Sequence, residues 1–162
     1  MLAALRLAQS HSTMTKKQIP IISSGIAGPA GILHLPRLWQ KVSLGSVGKL
    51  QDEYPCCGKG FDQMVLDALG LNREEFLAFV ASKKPTYPET ETWIIQRSGG
   101  NLDKEAIAKL NASISSYLHQ QDLRDAIIES TGIDTKSPIQ DAVTLNNLDD
   151  WQELWKSEIQ SC

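Results

Sequence analysis

Leu35-Pro36-Arg37-Leu38-Trp39-Gln40-Lys41-Val42 sets the reading of the whole chain. Leu35, Leu38, Trp39 and Val42 recur at helical spacing and predict a buried stripe. Pro36 suits the first turn of a helix, where its missing N–H costs nothing. The expected helix runs over 36–44 and is broken by Gly45 and Gly48. Arg37 and Lys41 are four residues apart, so both project from one face of it.

The same period continues along the chain. A second helix is expected over 61–69, with Phe61, Met64, Val65, Ala68 and Leu69 inward and Gly70 as its stop. Asn72, with Glu75 three residues on, reads as the cap of a third helix that buries Phe76, Leu77 and Val80 and ends near Lys83. Thr86, Pro88 and Glu89 open a fourth, which carries Trp93, Ile94 and Arg97 and closes at Gly99-Gly100. Asp103 or Asn101 starts a fifth, with Ile107, Leu110, Ile114, Tyr117 and Leu118 along one side. Leu123, Ile127 and Ile128 mark a sixth, stopped by Gly132. Val143 and Leu145 are expected in an irregular or extended piece. Asn147 and Asp150 then cap a last helix that Trp151 and Trp155 clamp to the body. No β-alternating run of any length interrupts this pattern. The class is therefore all-α, a single irregular bundle of six or seven short helices.

Residues 30–162 are expected to form that one helical domain. Residues 1–29 read as a flexible leader, with Gly and Pro crowding its last part. The leader lacks acids and carries Ser10, Ser12 and Thr13, so a targeting segment is one reading of it. Cysteines 56, 57 and 162 make no disulfide framework and suit a reducing compartment. The expected location is the cytoplasm, or an organelle after removal of the leader. No run approaches the roughly 20 apolar residues of a membrane span. The chain carries 16 bases and 19 acids, and every acid lies after residue 51. An acidic body argues against nucleic-acid binding, which needs a basic face.

Six of the bases lie in residues 1–51, without an acid among them. Arg37 and Lys41 therefore read as an anion site: a guanidinium fork for a carboxylate or phosphate, with a second cation beside it. Trp39 and Tyr54, together with Trp93, are candidates for the pocket wall, and Tyr54 would orient a ligand. Asp62 is either the ion-pair partner of Arg37 or Lys41, or a general base. Cys57 (or Cys56) is a candidate nucleophile with His34 or His119 as its base. His34, Cys56, Cys57 and His119 are metal-donor types, but no paired spacing joins them. The sequence assigns neither a metal nor a cofactor.

Leu35-Pro36-Arg37-Leu38-(x)2-Lys41, Gly48-Lys49-Leu50, Tyr54, a Cys, Gly60-Phe61-Asp62 and Leu69-Gly70-Leu71 follow one another in an order that resembles a mainly bacterial family of small helical proteins, one described only as a domain of unknown function. The resemblance covers roughly residues 30–118, including Ala108-(x)2-Asn111. It implies a compact helical domain and no particular activity. The family has one Cys before the Gly-Phe-Asp segment, a place for which Cys56 and Cys57 compete here. Two functions stay open. The first is a small-molecule protein that holds an organic anion, as an enzyme using acid/base or thiol chemistry or as a binding protein. The second is a non-enzymatic protein–protein interaction module, in which the central charges are structural ion pairs with Asp62 and Glu53. The sequence is silent on oligomeric state.

Overall fold

A computed structural model describes residues 16–160. It consists of α1 (Leu35–Ser46), α2 (Phe61–Ala68), α3 (Arg73–Lys83), α4 (Tyr87–Arg97), α5 (Lys104–Ser116), α6 (Gln121–Thr131), α7 (Ala142–Leu154) and a closing π-helical turn, Trp155–Gln160. Among the described residues there is no strand, only three isolated bridges. The protein is all-α, as the periodicity predicts.

Local chemistry sets most of the helix ends. The Asn72 side chain accepts from the Glu75 N–H at 3.0 Å. The Glu89 carboxylate accepts from both the N–H and the hydroxyl of Thr86, at 2.7 and 2.9 Å. Asp103 caps α5 through the N–H groups of Glu105 and Ala106. Two expectations are corrected. Gly45 does not break α1; the helix runs through it, and the missing side chain makes room for Cys56, whose Cβ would lie 2.8 Å from a Cβ there. The last helix starts not at Asn147 but at Ala142, capped by Asp141, whose carboxylate accepts from the Thr144 N–H at 2.7 Å. Val143 and Leu145 are thus helical, and Asp150 is an inward-facing residue of α7 rather than part of a cap.

The main core forms around α1. Leu35, Leu38 and Val42 pack with Val65 and Leu66 of α2, Phe76 and Val80 of α3, Ile94 of α4, and Ile107, Leu110 and Ile114 of α5. Each such side chain contributes about 1.5–3 kcal/mol on burial. A smaller cluster of Ile127, Ile128 and Leu145 joins α6 to α7. Trp151 and Trp155 do not clamp the last helix; they are 56% and 43% exposed. α7 is held instead by Leu145 and by Asp150.

Residues 1–15 of the expected leader lie outside the described residues, but 16–29 lie on the body. Ile19, Pro20 and Ser24 are buried, and Gln18 bridges to Leu50. This segment is drawn in because Arg37 needs it. The Arg37 guanidinium donates to the carbonyls of Pro20 and Ile22, at 2.7 and 2.9 Å. It also makes a two-pronged ion pair with Asp150, at 2.6 and 3.0 Å. Asp150, and not Asp62 or Glu53, is therefore the partner of Arg37.

Both charges of that pair are buried. Removing one of them strands the other in the interior, which costs about 3–5 kcal/mol. Asp150→Ala is expected to lower the urea-unfolding free energy by that amount. A loss under about 1 kcal/mol, the range of surface pairs, would show that the pair does not fasten α7 to α1.

Candidate functional site

A cavity of about 290 Å³ opens between the loop before α1, the α1 face carrying Arg37 and Lys41, the loop entering α2, and α7. His34, Arg37, Lys41, Tyr54 and Asp62, all singled out from the sequence, line it together. Trp39 does not. It lies near the α3–α4 junction, where its indole N–H donates to the Pro85 carbonyl at 3.0 Å and its ring meets Tyr87 edge-on. Trp93 is also elsewhere, stacked on Phe79 with ring centroids 4.4 Å apart. Cys57 belongs to the main core and is 2% exposed. Burial and then the nearby Asp62 charge push its thiol pKa up, so it stays protonated.

Asp62 is the hub. Its Oδ1 lies 2.7 Å from His34 Nε2. Its Oδ2 accepts from Lys41 Nζ at 2.5 Å and from the Gly58 N–H at 2.6 Å. Burial alone would raise its pKa; the His34 hydrogen bond and the Lys41 charge outweigh that and hold it at about 2. A carboxylate so firmly ionised is a poor general base and a good anchor.

His34 is 3% exposed, and its other ring nitrogen, Nδ1, lies 2.9 Å from the Ser24 hydroxyl oxygen. Burial lowers the His34 pKa below 6.5, and Lys41 and Arg37 add to this against the pull of Asp62. The ring is therefore neutral near pH 7. An ionised carboxylate only accepts, so the one ring proton sits on Nε2 and faces Asp62. Nδ1 is then bare and accepts from Ser24. The result is a chain Ser24 O–H to His34 Nδ1, His34 Nε2–H to Asp62.

His34 adopts φ +65°, a left-handed conformation that costs a non-glycine residue roughly 1–3 kcal/mol. The loop before it is pinned to impose this. Asn111 of α5 accepts from the Leu33 N–H at 3.0 Å and donates to the Gly31 carbonyl at 2.7 Å. Glu91 of α4 accepts from the Ala30 N–H and the Tyr87 hydroxyl, at 3.1 and 2.6 Å. Gly28 allows the close approach, since a Cβ there would fall 2.2 Å from the Tyr87 oxygen.

Ser24, Lys59, Asn146, Asp149 and Asp150 complete the polar lining, and sequence reasoning named none of the five as a site residue. The Tyr54 hydroxyl donates to Asp150 at 3.0 Å; burial and that carboxylate raise its pKa, so it remains a donor. The Asp149 carboxyl has its pKa raised by burial, then by Asp150 and Glu153. With Arg37 and Lys41 matched to Asp150 and Asp62, Lys59 is the cavity cation that forms no ion pair among the described residues. The described residues contain no group of three or more His, Cys, Asp or Glu side chains placed to hold a metal ion. No described helix is long and apolar enough to cross a membrane.

A family model described as a domain of unknown function (DUF5069) matches residues 22–153, a span that includes every residue lining the cavity. The chain belongs to that family. No curated protein matches it.

The two central pKa shifts make stability depend on acid in a defined order. The unfolded chain protonates His34 from about pH 6.5 downward, before the folded state does, so stability falls as the pH drops below that value. Asp62 binds its proton at 3.8 when unfolded and at about 2 when folded. Its contribution, on the order of 2 kcal/mol, is present above pH 3.8 and is lost as the pH falls toward 2. The melting temperature is expected to begin falling just below pH 6.5, and His34→Gln to remove this first part of the decline. A wild-type melting temperature that stays flat from pH 7 to 5 would mean that His34 is not held neutral.

Proposed function

We propose that this DUF5069 protein is a small-molecule enzyme in which Ser24 acts as a nucleophile on a carbonyl group. One observation carries the reading: the Ser24 hydroxyl, His34 and Asp62 form a continuous hydrogen-bonded chain at the wall of a cavity, with the basic ring nitrogen facing the serine. The Ser24 Oγ attacks the carbonyl carbon of an ester, and its proton moves to His34 Nδ1. Asp62 steadies the imidazolium and does not itself change protonation. The tetrahedral intermediate collapses, its bond to the leaving alcohol breaks, and the alcohol takes the proton from Nδ1. Water then repeats the sequence on the acyl-serine, which releases the acid and restores the hydroxyl. The negative charge that develops on the carbonyl oxygen meets a wall in which Lys59 is the cation that forms no ion pair among the described residues.

Lys59 also supplies the cation for a carboxylate or phosphate on the substrate, because Arg37 and Lys41 already face carboxylates of their own. The free thiols of Cys56 and Cys57 suit a reducing compartment, such as the cytoplasm or an organelle interior.

A second reading treats the buried charges as structural and the protein as a non-enzymatic interaction module. It is favoured by the two-pronged Arg37–Asp150 pair, which turns two charges toward each other instead of toward a ligand.

A fluorophosphonate probe, which reacts with base-activated serines, separates the two. The expected result is a single adduct on Ser24 in the wild type and none in Ser24→Ala. His34→Gln is expected to slow labelling by about a hundredfold or more. A folded wild type that takes up no probe would overturn the serine mechanism and leave the structural reading in place.

A further inference from the structure

Beside the polar cavity lies a second chamber of about 460 Å³. The two share Lys59, Gly60, Phe61 and Asn146 as a common wall. Beyond that wall the character changes, and Met64, Tyr117 and Leu123 supply apolar surface. Tyr117 and Leu123 are 47% and 48% exposed, against the usual preference of large side chains for the core. The sequence placed Tyr117 within the fifth helix, along one side with Ile107, Leu110 and Ile114. It is turned out because α5 ends at Ser116.

Phe61 joins the two chambers. Its ring meets His34 edge-on at a centroid distance of 5.4 Å and Tyr117 edge-on at 5.4 Å. A ligand group beside His34 is thus about one aromatic ring from the apolar surface. Asn146 sits at the same junction, where its side-chain oxygen lies 2.8 Å from His119 Nε2. With the oxygen so engaged, the amide N–H2 is a donor that makes no hydrogen bond among the described residues, at the place where a substrate carbonyl would pass.

Resting on the serine mechanism above, we infer that the substrate is an ester of an apolar acid, with its carbonyl at Ser24 and its acyl tail in the chamber of Met64, Tyr117 and Leu123. Ser24 is 1% exposed, so the reacting end must be slim. The neighbouring chamber has room for bulk. The occupant is the apolar part of the same molecule, because the chamber adjoins the polar cavity across four shared residues and its apolar lining begins one ring away from His34. Lys59 at the shared wall receives the carboxylate of the product acid or a phosphate carried on the leaving group.

The test is kcat/KM for 4-nitrophenyl acetate, butyrate and hexanoate, measured on the wild type, Leu123→Glu and Ile159→Glu. Burying each methylene of the tail is expected to raise kcat/KM by about fourfold in the wild type. Leu123→Glu places a charge in the chamber and is expected to flatten that dependence. Ile159→Glu, on a residue 62% exposed and outside both cavities, is expected to keep it. Cleavage of all three esters at one rate would overturn the acyl-tail inference and leave the serine mechanism standing. A wild type that cleaves none of them, and whose Ser24 takes up no fluorophosphonate, would overturn both.

Discussion

A carboxylate at the centre of a helical bundle needs partners, and Asp62 takes them from three places. The Lys41 ammonium comes from α1, the His34 ring from the loop before it, and the Gly58 N–H from the loop entering α2. An ionised group in the interior without such donors costs several kcal/mol. The three segments are therefore held in one arrangement by the demand of a single charge. The Arg37–Asp150 pair repeats the device on the neighbouring turn of α1 and extends it to α7. Between them the two pairs cancel most of the charge around the cavity. What they leave is a neutral imidazole with one nitrogen committed and the other open, beside a hydroxyl.

Holding His34 there has a conformational cost, and the surroundings carry it. Asn111 and Glu91 reach from α5 and α4 to the backbone of residues 30–33, and Ile32 between those contacts is buried in the main core. Backbone strain that persists under such reinforcement is a common mark of functional positions.

The helices were legible in the sequence because their signals are local. Caps such as Asn72 and Asp103, and apolar stripes such as Leu35, Leu38 and Val42, act over three or four residues. The start of α7 was missed because Asn147 and Asp150 imitate a cap five residues inside the helix, while the true cap, Asp141, follows an unremarkable loop. The candidate site was half legible. His34, Arg37, Lys41, Tyr54 and Asp62 stood out for their chemistry, with two cations four residues apart and no acid before Asp52, and the fold gathers them. Asp62 was legible as a partner for Lys41, and the two pair at 2.5 Å, but the partner of Arg37 was not. Arg37 and Asp150 are 113 residues apart in sequence, and nothing local pairs them. Ser24 was hidden in a Gly-rich and Pro-rich segment that reads as a leader, and its burial and its contact with His34 distinguish it from Ser23. Trp39 was chosen as an aromatic pocket wall, yet its indole bonds to Pro85 and it does not line the cavity.

The central claim is that Asp62 fixes His34 as a neutral ring with its proton on Nε2 and its bare Nδ1 facing Ser24. Nitrogen-15 NMR of the His34 ring across pH reads this directly. The account predicts the neutral Nε2–H tautomer at pH 7, with a pKa below 6.5. An imidazolium at pH 7, or a neutral ring carrying its proton on Nδ1, would contradict it, because Ser24 would then have no base to receive its proton.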